Sequence, residues 1–225
     1  MLVTVEIRRG TARFTERGVG RATRHAFSFG AAYDPAHVSF GPMTCHDEHL
    51  LGDGRGFATH RHAGVDIVTW VLSGALAHVD STGGSHVLRP GEVGHLRAGT
   101  GVEHSEVAAA PQTRFVQVWL RSEDGGEPSY EVSPVDGGPL SEALTVGDST
   151  LWVSRLGAGE SVTLPSAGLL HVYVATGALL RHSLAEPLSA GDALLATAEP
   201  GPLDVTAAVD TELLVWRLSA PDQTT

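Results

Sequence analysis

Apolar positions along this chain come in short runs, and glycine or proline interrupts most of them before a helix could form. The run at 65–72, VDIVTWVL, is rich in β-branched and aromatic residues, which suit a pleated, buried strand. Ser73-Gly74 is a turn signal, the run at 76–79 resumes, and DSTGG at 80–84 turns again. Pro90-Gly91-Glu92 makes a third turn, and RFVQVWL at 114–120 closes the first half. Many short strands between tight turns predict an all-β fold, a sandwich or barrel, with few helices.

Residues 121–147 break this pattern. RSEDGGEPSYEVSPVDGGPLSEALTVG is rich in Gly, Pro, Ser and acids, which predicts a short interdomain linker with a brief helix near 140–144. Beyond it the first half repeats weakly, but in order. VDIVTWVLSGAL (65–76) aligns with GLLHVYVATGAL (168–179), LRPGEV (88–93) with LSAGDA (188–193), and FVQVWL (115–120) with LLVWRL (213–218). The blocks match Gly74 to Gly177, Gly91 to Gly191 and Glu92 to Asp192. A duplicated barrel follows, with domains expected at 1–120 and 148–225.

Composition narrows the function. A formal charge of -11 and the absence of a Lys/Arg cluster disfavour a phosphate backbone, so direct nucleic-acid binding is not expected. No apolar stretch has membrane-spanning length, and MLVTVEIRRG lacks the apolar core of a signal peptide, so a cytoplasmic protein is expected. Cys45 is the single cysteine, which rules out an internal disulfide and a cysteine-built zinc site. Next to His46 and Asp47 it could be a thiol nucleophile, but a small buried residue is the better expectation.

The candidate chemistry lies in two pairs. His60 and His62, in FATHRHAGVDIVTW, stand two apart, as do His104 and Glu106 in LRAGTGVEHSEVA. On a strand, alternate residues share a face roughly 6–7 Å apart, so each pair can reach one ion from inside a barrel. Three imidazoles and a carboxylate suit iron, nickel, copper, manganese or zinc alike. His25, His37, His46, His49, His78, His86, His95 and His182 lack a paired ligand spacing and are expected at the surface or behind the ligands. His95 and Asp66 could lie near the site, because metal-bound imidazoles often hand their second N–H to a carboxylate.

These motifs resemble the pirin family of the cupin superfamily. The resemblance is carried by HAFSFGAAYDP (25–35), VSFGPM (38–43), GRGFATHRH (54–62), DIVTWVLSGALAHVDSTG (66–83) and RAGTGVEHSE (97–106), and covers nearly the whole first half. It implies two tandem cupin-type barrels (a bicupin). It also implies one metal, usually Fe(II), held by His60, His62, His104 and Glu106. Pirins are described as quercetin 2,3-dioxygenases, so the implied reaction is cleavage of a flavonol-like aromatic substrate by O2. Glu106 is the candidate catalytic base as well as a ligand. Other pirins are described as iron- and redox-dependent regulators, so a non-enzymatic role through a protein partner is the alternative. Arg61 stands where the family usually has proline, and Ala63 where it usually has a basic residue. Both departures lie at the mouth of the site. Carrying the repeat through places Thr163 and Pro165 at the positions of His60 and His62, and Asp204 and Thr206 at those of His104 and Glu106. Neither proline nor threonine is a useful ligand for a transition metal, so no second metal is expected there.

Overall fold

The computed structural model describes residues 4–181, 186–198 and 202–219. The chain divides into two compact units, Phe14–Pro134 and Met1–Arg13 with Val135–Thr225. Nearly every described element is a strand, and the single helical element is a 3-10 turn at Gly10–Ala12. No described helix is long and apolar enough to cross a membrane.

Phe14–Pro134 is built from two antiparallel sheets. The larger runs Ser129–Pro134, Glu92–Arg97, Val65–Ser73, Thr113–Arg121, Met43–Leu51, Arg21–His25 and Phe14–Gly18 in spatial order. The smaller runs Gly56–His62, Val102–Ala108, Leu76–Asp80 and Ser85–Leu88. Val65–Ser73 is central, with Glu92–Arg97 on one side and Thr113–Arg121 on the other, and it is buried from Asp66 to Val71. Leu51, Val71 and Phe115 of the larger sheet pack against Leu76, Leu88 and Ala108 of the smaller, closing a barrel-like core. Burying each Leu or Phe contributes on the order of 1.5–3 kcal/mol.

The other unit has a six-stranded antiparallel sheet: Thr4–Arg8, Ala193–Thr197, Leu169–Thr176, Thr211–Leu218, Ser149–Leu156 and Ser141–Val146. Two short pairs, Ser161–Leu164 with Leu203–Thr206 and Ala178–Leu179 with Leu188–Ser189, complete it. Leu170, Val172, Val174, Leu194 and Val215 of the sheet meet Leu164, Leu179, Leu188, Leu203 and Val205 in its core.

These units displace the boundaries that composition implied. The first strand pairs with Ala193–Thr197 in five-residue register, and the Arg9 guanidinium reaches Asp192 at 2.7 Å. Residues 121–147 are not all linker. Ser129–Pro134 pairs with Glu92–Arg97, and the helix expected near 140–144 is instead the strand Ser141–Val146. Its hairpin to Ser149–Leu156 turns on Gly147-Asp148, with Gly147 at φ +54. A two-residue Gly-Asp turn between β-prone runs is a hairpin signal that the acidic, glycine-rich surroundings masked.

The repeat is visible in the backbone. Gly74 and Gly177 both lie in the left-handed region, at φ +78 and +80. Each is packed against a threonine, Thr113 and Thr211, whose hydroxyl accepts from the next N–H and donates to the same residue's carbonyl, at Ala75 and Ala178. The register also matches, since His60 pairs with His104 in one unit and Thr163 with Asp204 in the other.

Candidate metal centre

Two neighbouring strands present the paired residues. His60 and His62 sit at the end of Gly56–His62, and His104 and Glu106 lie on Val102–Ala108, with His104 directly opposite His60. Between His104 and Glu106 the register slips: three steps on one strand, from His60 to Phe57, oppose two on the other. Such bulges re-aim side chains, and they are common beside functional sites.

Ligand atoms of His60, His62 and His104 lie within 4.8 Å of one another, and so do those of His78, His104 and Glu106. His104 belongs to both groups. Glu106 therefore stands beside His104 and His78, while its carboxylate is drawn toward Gln117, whose Nε2 donates to both oxygens at 2.9 Å. Trp119 Nε1 in turn donates to Gln117 Oε1 at 3.0 Å.

The tautomers can be worked out from hydrogen bonds. His60 Nδ1 donates to the Ala58 carbonyl at 2.8 Å, which leaves the Nε2 lone pair free for an ion. His104 Nδ1 lies 3.5 Å from His78 Nδ1, and His78 Nε2 lies 3.0 Å from Asp80 Oδ2. If His104 binds through Nε2, its Nδ1–H donates to His78, whose Nε2–H donates to Asp80. Asp80 is itself fixed by Thr82 and by the Gly84 N–H. His78 is held flat against the Tyr130 ring, with centroids 3.7 Å apart.

His62 Nε2 and His104 Nε2 are buried and have no hydrogen-bond partner among the described residues. An unpaired buried nitrogen is unfavourable unless something occupies it, and a metal ion satisfies both at once. Burial first, then the other histidines, depresses His62 to about 4 and His104 to about 3, so both imidazoles are neutral near pH 7 with lone pairs available. Burial pushes Glu106 up to about 7, against the hydrogen bond from Gln117. A buried carboxylate of that kind is stabilised by a nearby cation. The donor set fits a divalent transition metal: three neutral imidazoles and one carboxylate leave about one positive charge.

A cavity of about 530 Å³ opens over this cluster, lined by His60, His62, Glu106 and Phe57 from the smaller sheet, by Gln117, Trp119, His25, Asp47 and His49 from the larger one, and by Phe29. Period-two spacing revealed the four ligand candidates. It did not reveal His78 and Asp80, although the pair is itself two apart on one strand, nor Gln117, which meets Glu106 only through strand pairing. His95 and Asp66 pair with each other at 2.7 Å and belong to neither the ligand groups nor the cavity wall. His37 pairs with Asp34, and His182 lies outside the described residues. Cys45 is buried, and burial together with Asp47 pushes its thiol well above the usual range, which opposes a nucleophilic role.

The pirin family model matches residues 8–120. The chain belongs to the pirin family. A Mycobacterium tuberculosis protein named "Putative quercetin 2,3-dioxygenase" is 36% identical over 98% of this chain and 97% of its own length. An Escherichia coli quercetin 2,3-dioxygenase is 36% identical over 48% of each chain. Among solved structures, the bacterial pirin YhhW of Escherichia coli in complex with nickel(II) superposes with a TM-score of 0.88, covering 97% of this chain and 100% of that one at 24% identity. This pirin thus has the two-barrel cupin architecture and a cluster of histidines and a glutamate able to hold a metal.

Proposed function

We propose that this pirin is a metal-dependent dioxygenase that binds one divalent transition metal, Fe(II) foremost, through His60, His62, His104 and Glu106 and opens a flavonol ring with O2. The observation that supports this most is the pair of buried, unpartnered imidazole nitrogens, His62 Nε2 and His104 Nε2, clustered with His60 beside a cavity that His60, His62 and Glu106 line and that is sized for a small aromatic molecule. When bound, the metal supplies the Lewis-acid and redox chemistry that a reaction with O2 requires. The protein's own part is positional. Phe29, Phe57 and Trp119 offer flat apolar walls, and burial around His104 and Glu106 keeps water from the reacting face. Glu106 is the candidate base for the substrate hydroxyl nearest the ligands, and the bonds from Gln117 and Trp119 hold its carboxylate in place.

The test is aerobic incubation of iron-reconstituted protein with a flavonol panel, following flavonol absorbance and release of carbon monoxide. Metal-dependent loss of flavonol with carbon monoxide release supports the reading. Metal-loaded protein that turns over no flavonol, whichever of the five metals is supplied, overturns it in favour of the regulatory role.

A further inference from the structure

The larger sheet's share of the cavity wall carries a second ionisable arrangement that the proposed chemistry leaves unused. His25 ends the strand Arg21–His25, and Asp47 faces it from the neighbouring strand Met43–Leu51. His25 Nδ1 and Asp47 Oδ2 are 2.7 Å apart, and both residues are buried while still lining the cavity. Bonded this way, Nδ1–H donates to the carboxylate and the lone pair of neutral His25 is on Nε2. Nε2 is 3.8 Å from Glu16 Oε2, beyond hydrogen-bond reach. The Phe29 ring stacks on the imidazole, with centroids 5.1 Å apart and planes within 10°. Phe29 in turn meets Trp119 edge-on at 5.9 Å, and Trp119 meets His62 at 4.8 Å. An aromatic path therefore runs along the cavity from the ligand side to the His25–Asp47 dyad.

We propose that His25, positioned by Asp47, is a second substrate-binding group: its Nε2 accepts the hydrogen bond, and then the proton, of a hydroxyl carried away from the metal, so the pocket selects polyhydroxylated over monohydroxylated aromatics. This rests on the dioxygenase reading for its substrate family. In the transfer the substrate O–H bond breaks and an N–H bond forms on Nε2. The imidazolium lies against the Asp47 carboxylate and the oxyanion stays beside it, so charge is conserved locally. The groups facing His25 are Asp47 and His49 from Met43–Leu51, Glu16 from Phe14–Gly18, and Arg21 on its own strand. Burial alone would lower His25, but the bond and charge of Asp47, with Glu16, outweigh it and Arg21, so its midpoint lies above 6.5. A dyad of this kind provides a base of useful strength near neutral pH.

The experiment is an anaerobic binding titration of iron-loaded protein with quercetin, which has several hydroxyls, and with 3-hydroxyflavone, which has one. Wild type is expected to bind quercetin more tightly, with the preference growing as pH rises through the His25 midpoint above 6.5. His25→Gln should weaken quercetin binding about tenfold, leave 3-hydroxyflavone within about twofold, retain metal, and remove the pH dependence. Asp47→Asn, nearly isosteric, should move the midpoint of that pH dependence downward, and it tests the idea even if His25→Gln folds poorly. Equal loss for both ligands, or an unchanged preference and pH profile in the two variants, overturns the proposal, as does wild type that binds neither ligand. If the preference depends on His25 but no flavonol is turned over, the dioxygenase reading fails and the recognition dyad stands.

Discussion

Single side chains around the cluster have distinct roles, and their substitutions should differ accordingly. His60→Ala removes one of three clustered imidazoles and should lose most of the bound metal, measured as metal per chain after dialysis. Glu106→Gln keeps a weak oxygen ligand but accepts no proton, so flavonol turnover should fall more than metal content. Asp80→Asn acts from behind. It weakens the acceptor that sets the His78 and then the His104 tautomer, and metal affinity should fall roughly tenfold or more with every ligand still present. Cys45→Ala should leave metal content and activity within about twofold, because the thiol is buried and held neutral. The ligand candidates were legible in the sequence because period two on a strand is a local rule. Asp80, His78 and Gln117 were not, because their roles depend on which strands become neighbours. His78 meets His104 across 26 residues of sequence, and no spacing rule encodes that contact.

Strands and turns carry the next set of consequences. The strand that bears His60 and His62 begins at Gly56, and a Cβ there would sit 2.0 Å from the Glu106 carbonyl oxygen. Gly56→Ala must therefore push apart the two strands that carry the candidate ligands. Metal retention should drop although no ligand changes, a result that metal analysis alongside far-UV circular dichroism can separate from unfolding. At the repeated turn, Gly177→Ala meets Thr211 Oγ1 at 2.4 Å from a backbone at φ +80, and it should destabilise by about 2 kcal/mol or more in urea titration. Gly74→Ala meets Thr113 Oγ1 at 2.5 Å and should behave alike. The repeat was legible from aligned glycines because left-handed backbone restricts the choice of residue. The threonines that complete the device carry no such signal, since threonine is ordinary in any strand. Composition assigns 121–147 to linker with a brief helix near 140–144, whereas Ser141–Val146 is a strand because pairing with Ser149–Leu156, rather than composition, makes it one.

For the molecule as a whole, buried histidines set the response to acid. Burial holds His49 near 4 and His171 near 3, each below the ordinary 6.5, so the unfolded chain binds more protons than the native one as pH falls below 6.5. Stability must then fall with pH through that window, by on the order of 3 kcal/mol for His49 down to about pH 4. His25 acts in the opposite sense. Its raised midpoint stabilises the fold when protonated, and that contribution is lost as pH rises through the midpoint above 6.5. Urea midpoints of metal-loaded protein between pH 7.5 and 4.5 should show the net decline, and His49→Gln should flatten it.

The opening strand, Thr4–Arg8, belongs to the same unit as Val135–Thr225, and this affects how the protein is made. A ribosome releases that strand before Phe14–Pro134 and its partner, Ala193–Thr197, only after it. The unit that carries the histidine cluster, Phe14–Pro134, is complete in between and can fold while the earlier segment waits. The other unit is discontinuous in sequence and closes only once Ala193–Thr197 has paired with Thr4–Arg8. A fragment that starts after Pro134 would leave Ala193–Thr197 as an open edge, the kind that recruits strands from other molecules. Such a fragment should aggregate, and a synthetic peptide of residues 1–13, supplied in trans, should restore it to a soluble monomer by light scattering.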